Sequence, residues 1–210
     1  GNYAGCIFLQ NCQGIHIENV ETRNYNGDGI SWQVCHDVTV INCLSVNNAD
    51  LGLHPGSGSL RPIIRQNHLE GNRIGLFFCW GVKHGIAENN RICNNRQFGI
   101  SIGHRDTDNI IRKNRIEKSG EVGVIFRNEP NEGRCPHHNL LENNQIINSG
   151  EIGIDIQGET RSIMLLRNQI IETRKPAQHI GLQIGEKVTE LTLEKNTFPG
   201  LEIETNDLRS

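Results

Sequence analysis

Aromatic side chains make up only 5% of these 210 residues, too few for a wide core built on rings. Long apolar runs are also missing, and none approaches the roughly 18 residues of a membrane-spanning helix. There is no excess of positive charge. The 21 Lys and Arg stand against 24 Asp and Glu, a net of −3, which excludes a general surface for nucleic acid. The seven cysteines, at 6, 12, 35, 43, 79, 93 and 135, contain no Cys-x-x-Cys pair and no metal-ligand spacing. They read as small buried residues, with Cys12 and Cys35 neighbours on successive repeats, and neither a metal nor a cofactor is expected. No helix-period stretch of about 10–15 residues is present, so leucine-rich and ankyrin units are ruled out.

What the sequence does have is one phrase that keeps returning: apolar, two variable residues, Asn, one variable residue, apolar. It surrounds Asn67, Asn90, Asn114, Asn144, Asn168 and Asn196, and Val20 and Cys43 hold the Asn place in two weaker copies. Steps along this column are 23, 24, 23, 24, 30, 24 and 28 residues. A second column places Gly before apolar, variable, apolar: Gly29-Ile30-Ser31-Trp32, Gly52-Leu53-His54-Pro55 and onward to Gly181-Leu182-Gln183-Ile184. Alternation over so short a run predicts half-buried strands. Stacked at about 4.8 Å, they make an all-β, right-handed parallel β-helix of about eight to nine coils of roughly 23–24 residues. Residues 1–210 read as a single domain. The inward Asn column is expected to satisfy its own amides as a ladder from coil to coil.

Neither end carries a capping helix, and Gly1-Asn2-Tyr3 reads as a start cut from a longer protein. Flanking coils, or a second copy in a homo-oligomer, are therefore expected.

Departures from the repeat collect on the Gly-led strand and the turn after it. Asp28 stands where other coils carry Leu51, Ile74, Phe98, Val122, Ile152 and Ile180, so a carboxylate takes what reads as an inward apolar place. Asp50 introduces the next Gly-led strand, and a pair of carboxylates one coil apart suits glycoside hydrolysis. His54 and His104 are candidate acids or bases near neutral pH. Trp80 and His104 share a repeat position and should stack. Around them Arg105, Asp106, Arg127 and Glu129 are candidate sugar-binding groups, with Arg105 or Arg127 able to clamp a uronate carboxylate. Lys83 and His84 are secondary candidates that also read as the end of a turn. An insertion from Asn128 to His138 adds six residues and should border the groove; a second, around Arg174-Lys175-Pro176-Ala177-Gln178, reads as a plain loop.

Asn26-Gly27-Asp28-Gly29-Ile30 and Ala49-Asp50-Leu51-Gly52-Leu53-His54, followed by repeated Asn-x-Ile, resemble the pectate-lyase-like β-helix superfamily. The first segment is similar to the polygalacturonase Asn-Thr-Asp-Gly-Ile, which implies a catalytic carboxylate at Asp28. Gly103-His104 loosely resembles that family's Gly-His-Gly, and His54-Pro55 part of the mannuronan-epimerase Asp-Pro-His-Asp. The resemblance implies a secreted or periplasmic protein acting on a polysaccharide or oligosaccharide. Hydrolysis ranks first, uronate lyase or epimerase chemistry second and a non-catalytic glycan-binding or spike-like solenoid third.

Overall fold

The computed structural model describes residues 5–175 and 179–209. Its strands form three parallel sheets of nine, eight and seven strands, each ordered as the chain runs. The first seven coils give one strand to each sheet in turn, with the right-handed crossover that parallel strands favour, and the eighth gives strands to the first two sheets only. Coils are numbered here by their first-sheet strands: Gly5–Gln10, Asp28–Gln33, Leu51–Gly56, Ile74–Phe77, Phe98–Ile102, Val122–Phe126, Ile152–Ile156 and Ile180–Ile184, with Ile203–Asp207 as a ninth strand. The one helical element among the described residues is a 3-10 turn at Glu132–Arg134, inside the larger insertion.

Stacking in register turns the sequence columns into rows of the core. Ile7, Ile30 and Leu53 lie over one another on the first sheet, as do Ile100, Val124, Ile154 and Leu182 further along. On the second sheet Val40, Ile64, Ala87, Ile111 and Leu141 form a buried row. Cys35 and Cys12 are stacked as expected, the Cys12 amide lying 3.3 Å from the Cys35 sulfur.

The Asn ladder is continuous. Each Nδ2 donates to the Oδ1 of the next coil, at 3.0 Å from Asn67 to Asn90, 2.9 Å to Asn114, 3.0 Å to Asn144, 2.9 Å to Asn168 and 3.0 Å to Asn196. The residue before each rung, among them Gln66, Asn89, Lys113, Asn143 and Arg167, has positive φ. That left-handed step makes the two-residue turn, and it suits Asn better than a branched side chain. A second ladder, not singled out from the sequence, joins Asn48, Asn72 and Asn95 at the next turn. The Gly column has a steric reason. A Cβ on Gly75 would lie 2.4 Å from the Ile92 side chain, and one on Gly99 would lie 2.4 Å from Ile116. The first sheet closes against the third at these positions, and any side chain would force them apart.

Two arginines reach past their neighbouring coil. Arg96 donates to the carbonyls of Gly71 and Ala49, both at 2.7 Å, the second of them 47 residues away. Arg127 donates to Ser101 Oγ at 2.7 Å and to the Phe78 carbonyl at 3.1 Å, 49 residues away.

Candidate functional site

The outer face of the first sheet carries an open groove of about 750 Å³ across coils one to four, lined by Phe8, Asp28, His54, Arg73, Phe77 and Trp80 among others. Asp28 ends up on this groove for a local reason. Its row aligns with Leu51 and Ile74 but lies outside the continuous core, because the Gly after it tucks against Thr22 and Ser45 of the third sheet. The inward place expected for Asp28 is thus corrected to a groove-facing one. Only 3% exposed, its carboxylate accepts the Leu51 N–H at 3.2 Å through Oδ1 and meets His54 Nδ1 at 2.9 Å through Oδ2. His54 Nε2 has no hydrogen-bond partner among the described residues, and the ring packs edge-on to Phe77 at 5.3 Å.

Asp50 does not pair with Asp28. It lies one residue out of that row, its backbone bonding to Gly27 and Arg73, and Arg73 Nε donates to its carboxylate at 2.6 Å. Arg73 also donates to Gln97 at 2.8 Å and stays partly exposed on the groove wall. It was missed in the sequence because it sits between the two repeat motifs. Farther along, Trp80 and His104 stack at 4.9 Å between ring centroids, with Trp80 54% exposed.

A sequence model of the right handed beta helix region matches residues 5–135. The chain belongs to the right-handed β-helix family. No curated protein sequence matches it. Among solved structures it is similar to a periplasmic alginate epimerase at 17% identity and TM-score 0.64, over 81% of this chain and 47% of that one. An alginate lyase from Paenibacillus sp. has 11% identity and TM-score 0.70, over 95% and 75% of the two chains. PfbA, a surface adhesin of Streptococcus pneumoniae, has 13% identity and TM-score 0.75, over 94% and 62%. The chain thus spans about half the length of the epimerase structure, and these likenesses are ones of fold.

Within this β-helix the other predicted site residues divide. His104 meets Glu129 twice, through its backbone N–H at 2.8 Å and its Nδ1 at 3.3 Å, so the insertion closes on the turn that carries His104, beyond the residues that line the groove. Arg127 is turned along the sheet, its guanidinium 4.5 Å over Phe77, and is engaged by Ser101 and Phe78, with Glu129 3.5 Å away. Arg105 is exposed and has no side-chain hydrogen bond or ion pair among the described residues. Lys83 and His84 are exposed on the turn into the second sheet, away from the groove lining, as their turn-ending reading implies. Pro176, Ala177 and Gln178 of the second insertion lie outside the described residues.

Asp106 faces inward. Fully buried, it accepts the N–H groups of Gly81, Val82 and Gly103 at 2.9–3.0 Å and so fixes the turns that carry Trp80 and His104. It is a positioning group, not a ligand-contacting one. Burial lifts its pKa from 3.8 to about 7, against the opposing pull of Arg127 and the three N–H donors. Between those values the folded chain holds a proton that the unfolded chain has released. The stabilisation is present at acid pH and is lost as pH rises through about 7. Melting should therefore occur at a higher temperature at pH 5 than at pH 8, and Asp106→Asn should flatten the difference. Equal pH dependence in the two proteins would rule this out. Burial likewise holds the Cys79 thiol at about 12, so this groove residue is no thiolate nucleophile at neutral pH.

Proposed function

We propose that this chain binds an acidic polysaccharide across coils one to four and removes the proton beside a uronate carboxylate, as a lyase or an epimerase does. The observation that carries the reading is the buried Asp28–His54 hydrogen bond at 2.9 Å on the groove. Nδ1–H donating to Asp28 leaves the lone pair on Nε2 as the base. The ring proton passes to Nε2, and the electron pair it leaves spreads into the sugar carboxylate. Arg73, on the same groove and paired with Asp50, is the cation that would stabilise that charge by exchanging its Asp50 contact for the sugar carboxylate. The pair then either forms a carbon–carbon double bond as the glycosidic oxygen leaves and takes a proton from water, or takes a proton from water on the opposite face of the sugar. Alginate lyase and alginate epimerase are among the proteins this chain resembles in fold, which supports both endings.

Hydrolysis, the first choice from sequence, loses its support, since it needs two carboxylates facing one bond. Asp28 is engaged by His54 and Asp50 by Arg73. An exported location, periplasmic or secreted, fits the reading, and no helix among the described residues is long and apolar enough to cross a membrane.

The test is incubation with alginates, pectates and neutral glycans, read for unsaturated-uronate absorbance, epimer ratio by NMR and new reducing ends. Absorbance or an altered epimer ratio on an acidic glycan supports the proposal; reducing ends without unsaturation would restore hydrolysis. A second reading, glycan binding without turnover, is favoured by the exposed apolar strip of Phe8, Val34 and Trp80 and by the likeness to the adhesin. Under either reading Trp80→Ala should weaken oligosaccharide binding by about 3–10-fold, the value of one aromatic contact. Unchanged affinity in calorimetry would move the ligand off this face.

A further inference from the structure

The third sheet carries a cluster that the groove does not use. His68 and Glu70 are the outward residues of strand His68–Glu70, and Cys93 ends the neighbouring strand, directly across from Glu70. His68 Nε2 lies 2.7 Å from Glu70 Oε2 and 3.9 Å from Cys93 Sγ, and the three ligand atoms are all within 4.8 Å of one another. We propose that His68, Glu70 and Cys93 form a zinc site on this sheet, separate from the groove.

The donor set decides the ion. One thiol, one imidazole and one carboxylate suit a borderline cation such as Zn²⁺, whereas Ca²⁺ and Mg²⁺ seek oxygen alone. The spacing is close to what zinc requires. Bonds of about 2.0–2.3 Å at a tetrahedral ion put its ligand atoms roughly 3.3–3.6 Å apart. Entry of the ion would part His68 and Glu70 by about half an ångström and bring the sulfur a few tenths closer to the His68 nitrogen, with Glu70 turning to complete the set. The thiol proton leaves to solvent as the Zn–S bond forms.

The surroundings favour the same use. Asn94 Nδ2 donates to Glu70 Oε1 at 3.0 Å, which fixes the carboxylate and turns the other oxygen to the ion. Cys93 is only 2% exposed although it faces away from the core, so the site is screened from competing water on the sulfur side. Glu117 follows Cys93 in register on the next coil, but Arg115 donates to it at 2.7 Å, which leaves the fourth position to water. Along the same sheet the matching pairs read Glu21/Arg23, Leu44/Val46 and Gln145/Ile147, so His, Glu and thiol meet once among the described residues.

The full chain, freed of metal with a chelator, should take up one equivalent of Zn²⁺ in competition with a chromogenic chelator and release about one proton. Co²⁺ in its place should show a thiolate-to-metal charge-transfer band. Cys93→Ser should abolish the band, and His68→Gln should remove stoichiometric binding. Asn94→Ala should weaken affinity by roughly 10–100-fold. Cys6→Ser, which alters an exposed thiol on the first strand, should change nothing. Circular dichroism with chelator present shows which variants are folded. No stoichiometric uptake by the parent chain, or equal affinity in folded Cys93→Ser, His68→Gln and Asn94→Ala, overturns the proposal.

Discussion

Replacing His54 with Ala should lower turnover by roughly 10²–10⁴-fold, the usual effect of losing a general base. The substrate is whichever acidic glycan the panel identifies. His54 is the only groove residue that combines a buried, oriented ring nitrogen with one left without a partner among the described residues. Asp28→Asn should act through it. The amide can still accept at one atom, but it no longer stabilises the imidazolium, and its NH₂ group can favour the tautomer with the proton on Nε2. Turnover should fall while the Michaelis constant stays nearly unchanged. Initial rates with each variant, beside melting curves to verify folding, make the comparison. If His104→Ala abolishes product and His54→Ala does not, chemistry belongs to the stacked pair at coils four and five.

Asn114→Leu should destabilise the chain by an amount on the order of 2–5 kcal/mol. The Asn90 N–H loses its acceptor and Asn90 Nδ2 loses one of two, while the Ala87 carbonyl loses a donor. A Leu side chain must also fit a slot shaped for a planar amide. Melting temperature should drop by about 2–4 °C for each kcal/mol at this chain length. Asn206→Leu, at the partly buried position of the otherwise exposed last strand, serves as the comparison, and similar losses in both would show that the ladder contributes nothing special.

Most of the fold was legible because each coil writes the same requirement again. Asn at the inward end of a left-handed turn and Gly at the closure between sheets are needed at every level, so both recur with the coil period. The site was only partly legible. Asp28, His54, Trp80 and His104 stood out because they interrupt a pattern. The partnership was misread: Asp28 bonds to a residue 26 positions on, not to Asp50, because Asp50 lies one residue out of its row. Arg73 interrupts nothing, and His68, Glu70 and Cys93 fall at sequence offsets of 2 and 23, a spacing that only stacked coils make into a neighbourhood.

The reach of Arg96 and Arg127 has a consequence for how the stack melts. With links only between adjacent units, a linear array can fray from its ends, one unit at a time. Each of these guanidinium groups adds an interaction between next-nearest neighbours, one spanning Ala49 to Arg96 and the other Phe78 to Arg127. The two spans overlap, so no single coil between them can open without breaking a bond that belongs to a more distant one. In the language of a one-dimensional Ising chain, the domain wall becomes broader and more costly there. The stretch that holds most of the groove should then open as one block, while the coils beyond Arg127 loosen independently.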